Sequence, residues 1–202
     1  WAAMWEYGGI KASKGYDVVV DDLKKYPGAG WFVGARLNFA ENLLRFNDGH
    51  IAFIFKQETK ETTTMTYSEL HDSVGRLAAA LRQVGVTAGD RVAAYMPNMP
   101  ETVIVMLATT SIGAIWASCG TELGPTPVLD RFGQIEPKVL FTVDGYPYKG
   151  RSFDTLSNVE KIANGMPSLR KVVVVPYANK MPNVDSVKNC ELFDGFVSSG
   201  GS

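Results

Sequence analysis

The chain has 202 residues, 46% of them hydrophobic and 20% charged, and 20 Lys and Arg against 21 Asp and Glu leave a formal net charge of −1. This is the composition of a globular protein that can bury a core, and it excludes a disordered, collagen-like or coiled-coil chain. It also lacks the basic excess that supplies phosphate contacts in a nucleic-acid binder, so no nucleic acid is expected as a partner. Cys119 and Cys190 are too few and too far apart for a disulfide framework or a four-cysteine zinc site, and read as free thiols of a reducing compartment.

The first residues, Trp1 to Tyr7, have no cationic stretch before an apolar one, so they do not read as a secretory signal, and the missing initiator Met reads as a trimmed or interior start. Residues 1–50 are aromatic-rich and broken by glycines, with one short helical stretch near Phe39 to Phe46. Such a segment is predicted to be irregular, without a core of its own, and to wrap over another surface. Ile51 to Lys56 and Thr62 to Thr66 alternate like strands around the polar turn Gln57 to Glu61, which predicts a hairpin.

From Tyr67 the apolar period changes to that of a helix, with Leu70, Val74, Leu77, Ala78, Leu81 and Val84 on one face. Thr66 and Glu69 form a capping-box pattern, and Gly85 is placed to end the helix. There follow a strand (Arg91 to Met96), a turn (Pro97 to Pro100), a helix (Glu101 to Ile112) and a strand (Ala114 to Ser118). The next helix is expected to open with Thr126 as N-cap and Pro127 at its first position, and to run to about Ile135 before Glu136-Pro137. Val139 to Val143 reads as a continuous apolar strand, Asp154 to Asn164 as a helix and Val172 to Val175 as a last buried strand. The uncharged run from Thr102 to Thr121 is long enough for a bilayer span, but Gly113 and its Thr and Ser residues divide it into a helix and a strand, so no membrane association is expected.

Apolar strands alternating with helices require crossover connections and a sheet covered on both faces. The predicted fold is α/β: a doubly wound, mainly parallel sheet with flanking helices, plus an appended β-hairpin and the N-terminal wrap. Ligands of such sheets bind beyond the carboxyl ends of the strands, here near Pro97, Gly120 and Gly145.

Chemistry-bearing residues are sparse. His50 and His71 have no nucleophile at a recognisable spacing and read as solvated surface residues; there is no Gly-x-Ser-x-Gly elbow and no metal-ligand spacing. Gly120-Thr-Glu-Leu-Gly124 has the position of a phosphate loop, between a strand and a helix start, but lacks the Lys-containing pattern and carries Glu122, so a plain connection is the favoured reading. Ser198 to Ser202 reads as a linker or scar. Tyr146-Pro-Tyr-Lys-Gly-Arg151 admits two readings: a pair of cations and a pair of rings that hold a phosphate and stack on a base, or a solvated turn before a helix.

Trp31-Phe-Val-Gly-Ala-Arg-Leu-Asn-Phe-Ala-Glu-Asn-Leu-Leu44 resembles the N-terminal signature of acyl-CoA synthetases of the adenylate-forming superfamily, in the version of the acetoacetyl-CoA synthetase branch. The resemblance continues through Thr66-Tyr-Ser-Glu-Leu70, Val84-Gly-Val-x-x-Gly-Asp-Arg-Val92, Tyr95-Met-Pro-Asn98, Ser111-Ile-Gly-Ala-Ile-Trp116, Val128-Leu-Asp-Arg-Phe-Gly-Gln-Ile-Glu-Pro-Lys138 and Lys171-Val-Val-Val-Val-Pro-Tyr177. It implies a cytosolic ligase of lipid and fatty acid metabolism that uses ATP, Mg²⁺ and coenzyme A on acetoacetate; an acetyl-CoA synthetase-like enzyme of another short acid and a non-catalytic nucleotide-binding module are the alternatives. It divides the chain into an N-terminal wrapping segment (1–50), an α/β subdomain of the ligase (51–197) and the terminal linker (198–202), with the rest of the polypeptide as structural partner. The family's Ser/Thr/Gly-rich phosphate loop and its Lys on a mobile C-terminal domain are not found, so no catalytic or metal-binding residue is assigned and the chain alone is expected to be inactive. Carried over residue by residue, the resemblance assigns Gly120, Thr121, Gly150 and Arg151 to the CoA nucleotide. Thr121 and Glu122 stand where the family has glycines, and Tyr148 where it has a second arginine.

Overall fold

The computed structural model describes residues 1–58 and 61–200. The chain divides into two compact units, Trp1–Phe46 and Asn47–Ser202.

The first unit contains α1 (Ala2–Tyr7), the antiparallel pair β1 (Val18–Val20) and β2 (Trp31–Val33), and α2 (Phe39–Leu43), whose N-cap Asn38 accepts the Glu41 N–H at 3.1 Å. It is thus more ordered than glycine punctuation predicts. The Asp21 carboxylate, held at about 2 by Lys25 and by the amides of Gly30 and Asp22, ties the long β1–β2 connection together. Trp5, Tyr16 and Phe32 pack ring on ring with centroids 4.8–5.3 Å apart, yet Ala40 is the one buried core residue of this unit among the described residues.

The second unit opens with the hairpin β3 (Ile51–Phe55) and β4 (Thr63–Thr66), followed by α3 (Tyr67–Gln83). Both halves of the capping box form: Glu69 donates its N–H to Thr66 Oγ1 at 3.2 Å, and Thr66 donates its N–H to Glu69 Oε2 at 2.7 Å. Gly85 follows the helix at φ +79°, a conformation only glycine takes freely. Next come β5 (Arg91–Tyr95), α4 (Pro100–Ser111), β6 (Ile115–Cys119), α5 (Pro125–Phe132) and β7 (Val139–Val143). They are followed by the hairpin β8 (Gly145–Tyr148) and β9 (Arg151–Asp154), then α6 (Leu156–Asn164), β10 (Lys171–Val175), β11 (Cys190–Leu192) and α7 (Phe193–Ser199).

Five strands make one parallel sheet in the order β11-β10-β7-β5-β6. Side chains alternate across it. Ala93, Tyr95, Leu140 and Val172 point to one face and bury Val128 and Phe132 of α5 and Val159 and Ile162 of α6. On the other face Phe141 meets Phe193 and Phe196 of α7, with ring centroids 6.4 and 5.8 Å apart, and α3 packs between α4 and α7. The predicted doubly wound layer and the first hairpin are present. The charge-free run from 102 to 121 divides at Gly113, φ +76°, into α4 and β6, and no helix among the described residues is long and apolar enough to cross a membrane.

Several local expectations are corrected. Helix α5 starts at Pro125 with Gly124 as N-cap, not at Thr126, and ends at Phe132. Strand β6 is an edge strand with Ile115 52% exposed, so it is apolar without being buried throughout. Asp154 belongs to β9 rather than to α6, because residues 145–154 form a hairpin where a turn and a helix start were predicted. Ser198 and Ser199, expected in a linker, form the last turn of α7, and Gly200 is buried where an added Cβ would come within 2.5 Å of the Ala80 backbone. Gly201 and Ser202 lie outside the described residues.

Candidate functional site

The strand order sets where a site forms. From β5 the chain steps outward to β6, then returns past β5 to β7 and continues to β10 and β11. Direction therefore reverses between β5 and β7. Helix α4, which follows β5, lies on the face opposite α6, which follows the β7 hairpin, and such a divergence opens a crevice beyond the carboxyl ends of the strands.

A cleft of about 620 Å³ occupies that position. Pro97 and Asn98 come from the end of β5, Thr121 and Glu122 from the end of β6, Tyr146, Pro147, Tyr148 and Phe153 from the hairpin after β7, and Tyr177 from the end of β10.

Each wall is held by a buried polar group at a strand end. Asp144, 1% exposed, directly follows β7; its Oδ1 accepts the N–H groups of Tyr177 (2.6 Å) and Ala178 (2.9 Å), and its Oδ2 accepts the N–H (2.7 Å) and side-chain amide (2.9 Å) of Asn179. Four donors around one carboxylate fix the loop that carries Tyr177. On the β6 side, the single proton of the Tyr95 hydroxyl is shared between the carbonyls of Leu123 (2.6 Å) and Thr121 (3.0 Å) and sets the loop that carries Glu122. Thr142 donates its hydroxyl to the Tyr95 carbonyl at 2.9 Å, and Thr155 donates its hydroxyl to the Val143 carbonyl.

The hairpin wall follows from Gly145, where a Cβ would stand 2.6 Å from the Phe153 carbonyl, so only glycine admits so close an approach. Opposite each other on β8 and β9, Tyr146 and Phe153 stack with centroids 5.4 Å apart and planes 16° from parallel. Lys149 and Gly150 turn the hairpin at φ +50° and +71°, the Lys149 ammonium lies 5.2 Å from the centre of the Tyr148 ring, and Glu58 accepts the N–H groups of both turn residues at 3.2 and 3.3 Å.

Burial pushes the Tyr95 and Tyr177 phenols above their usual value, with Glu101 adding to the rise at Tyr177, so both are neutral donors at physiological pH. The cleft offers flat rings for stacking, backbone groups, two cations at its hairpin and one carboxylate. Among the described residues no group of three His, Cys, Asp or Glu side chains is placed to hold a metal ion. The rings suit a planar ligand and the hairpin cations an anionic one.

The sequence-predicted residues separate. Thr121 is buried in the cleft wall next to Gly120, where any side chain would run into the Glu122 carboxylate. That carboxylate and the uncapped start of α5 suit a plain connection better than a phosphate loop. Gly150 and Arg151 stand exposed at the hairpin, Arg151 paired with Tyr148 across the strands. His50 is exposed and bonded to Asp48 at 2.9 Å, and His71 is exposed on α3. Sequence reasoning missed Tyr177, Asp144 and Glu58; the one local signal was a carboxylate directly after an all-apolar strand.

Residues 39–195 match the family described as AMP-binding enzyme. The chain is 41% identical over 207 residues to the acetoacetyl-CoA synthetase of Macaca fascicularis, covering 100% of this chain and 31% of that protein. It is 48% identical over 178 residues to the acetoacetyl-coenzyme A synthetase of Rhizobium meliloti (strain 1021), covering 88% and 27%. The solved acetoacetyl-CoA synthetase from Streptomyces lividans superposes with a TM-score of 0.89 at 39% identity, over 98% of this chain and 30% of that one. The chain thus spans about a third of the length of the relatives it matches. With most of its residues inside the family match, and a doubly wound sheet that superposes on a solved relative over nearly its whole length, the chain belongs to the AMP-binding enzymes.

Proposed function

We propose that this chain is a portion of an ATP-dependent acid–CoA ligase that converts acetoacetate, ATP and CoA to acetoacetyl-CoA, AMP and pyrophosphate. The supporting observation is identity of 41–48% to acetoacetyl-CoA synthetases over 88–100% of the chain. Within that enzyme the chain acts by binding: the cleft receives the nucleotide of CoA, with Arg151 and Lys149 facing its phosphates, Gly150 admitting the hairpin turn, and Gly120 and Thr121 forming the opposite wall. A guanidinium on the hairpin suits this role, since its planar donors match two phosphate oxygens at once.

Mg²⁺ belongs to the proposed reaction, but the described residues group no three His, Cys, Asp or Glu side chains to hold it. Nor do they assemble donors around a developing phosphoryl charge. The 202-residue chain alone is therefore proposed to be inactive, with the rest of the polypeptide as its structural partner. The setting proposed for the whole enzyme is the cytoplasm, in lipid and fatty acid metabolism.

The test is thioester formation by the whole protein with ATP and CoA, comparing acetoacetate with acetate. Preference for acetate, or no thioester from either acid, overturns the substrate assignment. Titration with 3′,5′-ADP tests the nucleotide site: Arg151→Ala is expected to weaken binding about tenfold, and unchanged affinity removes Arg151 from it.

A further inference from the structure

Glu58 lies in the connection between β3 and β4, 91 and 92 residues before the two whose amides it accepts. Those residues, Lys149 and Gly150, form the two-residue turn between Tyr148 and Arg151, and both take positive φ. Successive left-handed residues aim their N–H groups to one side, which makes a concavity that suits an anion. Here the two oxygens of one carboxylate fill it, Oε1 on Lys149 and Oε2 on Gly150.

The turn so held carries two cations next to a residue that lines the cleft. The Lys149 ammonium lies over the ring of Tyr148, which lines the cleft, and Arg151 is the cross-strand partner of Tyr148. Lys149 is the weak point, because an L residue at φ +50° is disfavoured and stays there only if its surroundings hold it. Without an acceptor for its amide, the turn loses what offsets that cost.

We infer that Glu58 is a positioning residue: its carboxylate fixes the β8–β9 turn so that Lys149 and Arg151 flank the cleft as a prepared pair of cations for the phosphates of a nucleotide. The inference rests on the proposal that the cleft binds the CoA nucleotide. It makes a prediction opposite in sign to simple electrostatics. A carboxylate beside two cations lowers the local positive potential, so removing it as a mere charge would tighten anion binding; removing a positioning group weakens it.

The experiment is titration of the whole protein with 3′,5′-ADP, together with steady-state kinetics in CoA. Glu58→Ala is expected to raise the dissociation constant about five- to tenfold, the loss associated with one or two hydrogen bonds. It should raise KM for CoA to a similar degree while leaving kcat near its starting value, because no reacting atom is touched. Glu58→Gln, which keeps one acceptor oxygen but turns its NH₂ toward the other N–H, should bind between Glu58→Ala and the unaltered protein. Amide exchange at Lys149 and Gly150 should accelerate in Glu58→Ala without ligand. If Arg151→Ala weakens binding while Glu58→Ala leaves it unchanged or tightens it, the positioning role is wrong and the nucleotide site stands. If Arg151→Ala binds as well as the unaltered protein, the nucleotide site itself falls, whatever Glu58→Ala does.

Discussion

Asp144 offers the sharpest test of how the cleft is held. Its carboxylate is 1% exposed, and four N–H donors of residues 177–179 satisfy its two oxygens. Asp144→Asn keeps the volume and removes one oxygen. The asparagine does best with its carbonyl toward Tyr177 and Ala178, which leaves its NH₂ facing the backbone and side-chain N–H groups of Asn179, donor against donor. Two charge-assisted bonds are lost, at roughly 1.5–3 kcal/mol each and less than additively, while part of the desolvation cost of a buried charge is recovered. The expected net loss is about 2–3 kcal/mol. With a urea slope of about 2–3 kcal/mol per molar for a chain of this size, the midpoint should fall by about 1 M. Urea unfolding followed by circular dichroism measures it, and amide exchange at 177–179 locates it. A change under about 0.5 kcal/mol, with exchange at those amides unaltered, would refute the clamp and with it the account of Tyr177 as a fixed wall.

Asp90 is held at about 2 chiefly by Lys138, whose Nζ lies 2.6 Å away, and by Thr87. Its folded value lies below the ordinary 3.8, so its contribution is present above about pH 4 and lost as pH falls toward 2; unfolding curves between pH 5 and 2 should fall less steeply for Asp90→Asn than for the unaltered chain. Gly145→Ala and Gly150→Ala should differ: the first forces a Cβ against the Phe153 carbonyl and breaks the hairpin base, the second meets open space at φ +71° and costs about 1 kcal/mol, and comparable unfolding midpoints would contradict this. Burial pushes the Cys190 thiol up to about 11, and Cys119 is buried, so native labelling with a thiol reagent at pH 7.5 should be slow at both and rapid only after unfolding. Tyr95→Phe removes the hydroxyl that donates to the Thr121 and Leu123 carbonyls and should cost about 1–2 kcal/mol, with faster amide exchange across residues 120–124 as the local sign.

The central layer was legible because its signals are local. Strands β5, β7 and β10 are apolar on both faces, and Thr66, Glu69 and Gly85 bracket α3 by chemistry confined to a few residues. Errors fell where tertiary contact overrides local pattern. β6 shifts by one residue and exposes Ile115 because it is the edge of the sheet, which no periodicity reveals. The Ser-Ser-Gly end has the composition of a linker, yet Gly200 is buried because α7 crosses α3 closely enough at Ala80 to exclude a side chain. Tyr146 to Arg151 reads in sequence as a ligand-holding edge or as a solvated turn before a helix and not as a hairpin, since the partner that steadies it, Glu58, lies about ninety residues earlier.

The cleft was half legible for a related reason. Parallel topology places ligands beyond the strand ends, and this put Pro97, Gly120 and Gly145 in one neighbourhood without knowledge of any side chain. The walls depend on bonds between loops far apart in sequence, such as Asp144 to residues 177–179, and these leave no periodic trace. One trace exists, and it is physical rather than statistical. A carboxylate directly after five buried residues must be met by donors, or its charge would be untenable. Asp144 therefore implies a second loop folded onto the end of β7, and Tyr95 at the end of β5 implies carbonyls within reach of its hydroxyl. Both groups spend their hydrogen-bonding capacity on the frame, so what reaches the cleft is the ring surface of Tyr146, Tyr148, Phe153 and Tyr177 and the Glu122 carboxylate, with cations nearby on the hairpin. A surface so built can discriminate ligands by stacking and charge.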